Sequence, residues 1–183
     1  KAFDFKDFLF LRQEVTGIVR ELENPSIMGI SCYIWNWEFT KALAAAVKEA
    51  YPSCLVIMGG PHVPSRPNGF FIEHPYTDLL VHFEGEETFS EILLESLNSN
   101  PDYTQIQGLT VPVENYSSFQ TPPRPRIKDV ERIPSPYLKG VFDRIMKTPK
   151  NQKIQWDVSQ ETHRGCPYSC TFCDWGSAVF TKV

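Results

Sequence analysis

The sequence predicts an α/β domain with a doubly wound parallel sheet, and two regularities point to it. Short apolar runs recur at Ile27 to Tyr33, Cys54 to Met58, Asp78 to Phe83 and Leu109 to Val113, as in strands buried on both faces. Between them lie segments of helical period, and the runs close on turn formers such as Gly59-Gly60-Pro61. Strands alternating with helices in this way make a parallel sheet whose ligands bind beyond the carboxyl ends of the strands.

Phe8, Leu11, Val15, Ile18, Val19 and Leu22 recur at roughly helical spacing, which predicts a helix over Phe5 to Leu22. A domain of this type ordinarily has strands before such a helix, so part of the sheet is expected to be missing or supplied by another segment. After the first apolar run, Asn36 can cap a helix with Glu38 in its positively polarised first turn. Phe39, Leu43, Ala46, Val47 and Ala50 form its apolar face before Pro52. Residues Asn68 to His74 read as a short helix, and Phe89, Ile92, Leu93 and Leu97 mark another. Three loops therefore converge at one end of the sheet: Ser31 to Asn36, Gly59 to His62, and Phe83 to Glu86.

From about residue 115 to 153 the composition shifts to proline and charge, as in Thr121-Pro122-Pro123-Arg124-Pro125-Arg126. Repeated prolines disfavour ladders and stiffen an extended path, so this stretch reads as a connector, interrupted by a short helix at Val141 to Met146. Ile154 to Thr162 then alternates like a strand. The expected division is residues 1–114, a connector 115–153, and the start of a second domain at 154–183.

The chain has 183 residues, 42% hydrophobic content and a formal charge of −4. Those values are ordinary for a globular protein and offer no nucleic-acid-binding face. No apolar run is long enough for a membrane span. Five cysteines, an odd number, with no signal-peptide pattern, fit reduced thiols in the cytoplasm better than a disulfide framework.

Three of those cysteines, Cys166, Cys170 and Cys173, form a C-x3-C-x2-C array within His163-Arg164-Gly165-Cys166-Pro167-Tyr168-Ser169-Cys170-Thr171-Phe172-Cys173. Three thiolates on one loop can hold three corners of an iron-sulfur cube and leave the fourth iron open to a substrate. Zinc, completed by His163, is the alternative; it favours a second distant ligand pair, and Cys32 and Cys54 lie far upstream. The array, with Arg164-Gly165 before it and Phe172 before its last cysteine, resembles the signature of the radical S-adenosylmethionine (SAM) superfamily. That resemblance implies a four-iron four-sulfur cluster on Cys166, Cys170 and Cys173, SAM on the open iron, and Phe172 lining the cluster or adenine side. It also implies a reductant protein of the flavodoxin or ferredoxin type, and a (β/α) barrel of which only the first strand and cluster loop are encoded here.

The upstream loops, Ile30-Ser31-Cys32-Tyr33-Ile34-Trp35-Asn36, Gly59-Gly60-Pro61-His62 and Glu84-Gly85-Glu86-Glu87-Thr88-Phe89, resemble the Rossmann-like, B12-binding domain of cobalamin-dependent radical SAM enzymes. The resemblance implies cobalamin against Ser31, Tyr33, Trp35, Asn36, Gly59, Gly60, Pro61, His62, Phe83, Glu84, Gly85 and Glu86. Glycines leave room where backbone meets a wide ring, and Ser31 can hydrogen-bond the nucleotide tail or a corrin amide. The chain departs from the family in two ways. Phe83 stands where a glycine is common, and there is no D-x-H-x-x-G motif to place a histidine on cobalt, so cobalamin is expected without one. His62, His74 and His82 do not occupy that motif.

The function so implied is a cobalamin-dependent radical SAM enzyme: a deoxyadenosyl radical abstracts hydrogen from substrate, and methylcobalamin delivers a methyl group to an unactivated centre. No catalytic residue is assigned. The substrate, a small molecule or peptide, is not specified, and neither nucleic acid nor membrane is expected as a partner. Two alternatives stay open, a radical SAM enzyme with a cobalamin-free N-terminal domain and a non-catalytic zinc or cluster-binding interaction module. Because the chain begins at Lys1 and stops ten residues after Cys173, it is expected to be part of a longer protein and inactive alone.

Overall fold

The apolar runs become strands: β1 (Ile27–Ser31), β2 (Leu55–Gly59) and β3 (Leu79–Val81) are parallel neighbours in that order. The computed structural model describes residues 3–5, 8–9, 12–113, 117–148, 153–157 and 171–172. The chain divides into two units, residues 9–126 and residues 1–8 with 127–183, and the sheet belongs to the first.

Side chains alternate across these strands, so each feeds two cores. On one face, Met28, Ile30, Val56, Met58 and Leu80 pack with Ile18 of α1 (Val15–Glu21), with Leu43, Ala44 and Val47 of α2 (Trp37–Ala50), and with Phe70 and Phe71 of α3 (Phe70–Glu73). On the other, Ile57, Leu79 and Val81 meet Ile92 and Phe89 of α4 (Glu86–Glu95). Helices cover both faces, which is what doubly wound means. At the amino end, the Lys48 ammonium binds both Asp78 carboxylate oxygens (2.7 and 2.9 Å) and the Cys54 carbonyl (2.8 Å). Asp78 in turn accepts from Val56 N–H (2.7 Å), so one ion pair fastens α2 to the starts of β2 and β3.

The fourth strand forms where expected, β4 (Leu109–Pro112), but it runs antiparallel to β3, and the sheet is mixed. The segment after α4 climbs back to the carboxyl end of β3, where the Gly108 carbonyl accepts from His82 N–H (2.9 Å). Gly108, at φ +80°, then turns the chain back down along β3. A fifth strand, β5 (Ser118–Gln120), lies inside the predicted connector and pairs antiparallel with β4. Pro112 ends β4 and Pro122-Pro123 follow β5, so both strands are short.

Helix α1 is much shorter than the predicted Phe5 to Leu22. Phe5 and Phe8 are not helical; their rings pack on each other (4.4 Å), and Phe8 packs on Phe142 (5.2 Å), with Tyr137 beyond it (5.3 Å). Aromatic spacing that reads as a helix face is therefore an aromatic cluster within the second unit. That unit also holds α5 (Asp143–Lys147), near the predicted helix, with Ile145 buried. Of the strand expected over 154–162, residues 154–157 are not in a strand and the remainder lies outside the described residues.

Candidate functional site

The carboxyl ends of β1, β2 and β3 bring the three predicted loops together. Their geometry begins with Gly60, whose φ of +102° and surroundings both demand glycine. A Cβ there would stand 2.8 Å from the Cys32 carbonyl oxygen and 3.0 Å from its nitrogen. The two loops are also stitched by hydrogen bonds, Cys32 N–H to the Gly59 carbonyl (2.6 Å) and His62 N–H to the Cys32 carbonyl (3.1 Å).

Asn36 occupies the N-cap position of α2, but its side chain does not cap the helix as predicted. It folds back instead: Oδ1 accepts from Tyr33 N–H (2.8 Å) and Nδ2 donates to the Ser31 carbonyl (2.9 Å). This locks the first loop with Ile34 and Trp35 outward, 76% and 70% exposed. Tyr33 stacks on Trp35 with centroids 4.5 Å apart and planes 16° apart, and Arg12 Nη2 donates to the Trp35 carbonyl (2.7 Å). Exposed apolar side chains of this size in a rigid loop are the mark of a ligand face. Arg12 and Ile34 escaped the sequence reading; the signal for Ile34 was an apolar run that continues past the strand.

Small residues follow on the strands that lead into these loops. On the face that packs α4, β1 and β2 carry Gly29 paired with Ile57, then Ser31 paired with Gly59. Gly29 and Ser31 are exposed, although a strand of a doubly wound sheet is ordinarily covered on both faces. The Phe89 ring fills the space above Gly29, where a Cβ would meet it at 3.2 Å. Further along, Ser31 is exposed, and at Gly59 a Cβ would touch the Val81 side chain at 3.4 Å. Small residues beside exposed aromatic faces fit a broad planar ligand with an elongated tail, which is the shape of a corrinoid.

The third loop is tightly held. His82 is buried, its Nε2 2.7 Å from Thr110 Oγ1, and burial pushes its imidazole below the ordinary value. Phe83, half exposed, adopts a left-handed φ of +58°. That conformation is one glycine adopts freely, and it costs a bulky residue about 1 kcal/mol. Gly85 sits at the N-cap of α4, Glu86 is exposed in its first turn, and Glu84 pairs with Arg126 (3.7 Å). Arg124 bonds Thr88 Oγ1 (2.8 Å), Glu87 (3.4 Å) and Glu91. The acidic loop is thus engaged by the chain's own cations, which the alternation Pro123-Arg124-Pro125-Arg126 signals in hindsight.

The remaining predicted residues are less central. Pro61 is exposed, and the His62 ring packs edge-on against Trp37 (5.1 Å) in a cluster with Phe70 and His74. Cys32 and Cys54 are wholly buried, and burial pushes the Cys32 thiol up to about 11, so both are inert. Phe172 is exposed, while Cys166, Cys170 and Cys173 lie outside the described residues. Among the described residues no group of His, Cys, Asp or Glu could hold a metal ion, and no helix is long and apolar enough to cross a membrane.

Known proteins share this chain's sequence and fold. Residues 4–93 match the B12 binding domain family. Across its whole length the chain is 44% identical to the 2-(S-pantetheinyl)-carbapenam-3-carboxylate methyltransferase of Streptantibioticus cattleyicolor. It is 42% identical to the cobalamin-dependent radical SAM methyltransferase TokK of Streptomyces tokunonensis, and it spans 27% of the length of each. Among solved structures, the apo form of the cobalamin-dependent SAM radical enzyme OxsB shares the fold, with a TM-score of 0.66 and 23% identity over 87% of this chain and 22% of that one.

Proposed function

The chain belongs to the cobalamin (B12)-binding radical SAM protein family, and on that premise we propose that it binds cobalamin at the carboxyl edge of its sheet, as part of an enzyme that cleaves SAM to methylate an unactivated centre. The observation that carries the reading is the convergence of the stacked Tyr33–Trp35 pair, the Gly60 close approach and the exposed Ser31 at the carboxyl end of β1.

Ser31 would hydrogen-bond the nucleotide tail or a corrin amide from the exposed end of β1. Tyr33 and Trp35, held by Asn36, would offer flat apolar area, and Gly59 and Gly60 would keep the backbone close. Pro61, His62, Phe83, Glu84, Gly85 and Glu86 would border the far side, with Phe83 narrowing it. Cys166, Cys170 and Cys173 would ligate a four-iron four-sulfur cluster, with Phe172 beside the cluster or adenine, in a domain starting near residue 154 and fed by a flavodoxin or ferredoxin. Bound cobalamin would supply a methyl-carrying cobalt, and the cluster with SAM the radical chemistry. The two curated relatives described above carry methyltransferase names, which supports methyl transfer as the reaction.

The test is anaerobic reconstitution of the intact protein with hydroxocobalamin, iron and sulfide. Corrinoid absorption bands that survive gel filtration, iron with acid-labile sulfide, and 5'-deoxyadenosine formed from SAM under reduction are expected. Iron without corrinoid would leave a radical SAM enzyme with an empty N-terminal domain. Zinc in place of iron would reduce the protein to an interaction module.

A further inference from the structure

A left-handed phenylalanine needs restraint on both sides, and the chain around Phe83 supplies it. On the amino side His82 is pinned through its N–H to the Gly108 carbonyl (2.9 Å) and through its ring to Thr110 (2.7 Å). On the carboxyl side the Glu84 side chain is only 12% exposed, and its Oε1, out of contact with solvent, lies 3.7 Å from Arg126 Nε.

Arg126 reaches Glu84 from a fixed base. The strap of residues 121–126 is fastened to the sheet where Thr121 Oγ1 accepts from Leu109 N–H (2.9 Å) and Gly108 N–H donates to the Pro122 carbonyl (2.9 Å). It is fastened to α4 where Arg124 meets Thr88, Glu87 and Glu91. Burying a carboxylate costs free energy that a nearby cation offsets, and Arg126, 3.7 Å from Glu84 Oε1, is placed to supply that cation.

We propose that Arg126 is a positioning residue for corrinoid binding: through Glu84 it keeps Phe83 in its left-handed conformation and so sets the shape of the site's third loop. This rests on the reading that the site takes cobalamin. Hydroxocobalamin binding to the intact protein is titrated by absorbance for the wild type, Arg126→Gln, Phe83→Gly and the double variant, with circular dichroism to check the fold. Arg126→Gln is expected to raise Kd about tenfold in the wild-type background and less than about threefold in the Phe83→Gly background, because glycine holds that conformation unaided.

If Arg126→Gln does not fold, Arg126→Lys replaces it, keeping the charge but losing the planar fork. An increase of about fivefold is then expected in the wild-type background, and less than about twofold with Phe83→Gly. Unchanged Kd in the Arg126 variant, or an equal loss in both backgrounds, overturns the positioning role. No binding by the wild type overturns the cobalamin reading itself, a separate failure.

Discussion

Gly60 and Phe83 occupy the same backbone region with opposite fitness for it. At Gly60 the φ of +102° and a 2.8 Å clash with the Cys32 carbonyl act together. Gly60→Ala is therefore expected to cost at least about 2 kcal/mol in urea unfolding, above the usual range for an exposed turn. At Phe83, φ is +58° and there is no glycine to bear it. Relief of about 1 kcal/mol roughly offsets the extra chain entropy of glycine, so Phe83→Gly is expected to unfold within about 0.5 kcal/mol of the wild type. Phe83→Ala keeps the penalty, loses the ring, and should be the less stable of the two. His82 governs a pH dependence. Its folded imidazole titrates below the ordinary 6.5 because burial disfavours the charged form, so the unfolded chain binds more protons between the two values. Its contribution is complete above about pH 6.5 and is lost as pH falls towards the folded value. A His82→Gln variant should show a shallower decline in urea midpoint between pH 7.5 and 5, though His74, shifted the same way by burial and by Lys41, keeps part of the slope.

Elements depend on ties that sequence period does not show. The Lys48–Asp78 pair joins α2 to β2 and β3 and accepts the Val56 N–H as well. Asp78→Ala leaves a half-buried ammonium and a strand donor short of partners, and is expected to lower stability by about 2 kcal/mol. Asp78→Asn, which can still accept from Val56, should lose about half of that. The parallel core was legible beforehand because β1 to β3 and α2 obey strong apolar periods over runs with clear turn signals. Antiparallel β4 was not, since its direction is set by Gly108 and a return segment rather than by the strand's own residues. β5 was hidden by flanking prolines, and the N-terminal helix read too long because Phe8 falls on the helical period yet packs on Phe5 and Phe142 instead. In the loops, the Gly59-Gly60 turn could be read from turn chemistry, whereas Tyr33 and Trp35 were named only through the family resemblance. The fold-back of Asn36 could not be read, because the same asparagine serves an N-cap equally well by sequence alone.

At the scale of the molecule, the sheet separates a binding edge from a stabilising one. The loops at 31–36, 59–62 and 83–86 lie at the carboxyl ends of the strands, while the Lys48–Asp78 clamp lies at their starts. A ligand that binds only the folded sheet adds stability by mass action, about 2.7 kcal/mol at a free concentration of one hundred times Kd. Cobalamin should therefore raise the unfolding midpoint of the intact protein in a concentration-dependent way. The gain should be uneven in hydrogen exchange, because local openings at the carboxyl edge must break ligand contacts and openings at the amino edge need not. Amides of Cys32, Asn36, His62 and Phe89 are hydrogen-bonded within or beside the loops and should slow on binding. Those of Cys54, Val56 and Asp78, at the other edge, should slow only as far as global unfolding limits them. Equal slowing at both edges would mean that cobalamin acts through overall stability from somewhere other than these loops, and the corrinoid site would have to be sought elsewhere.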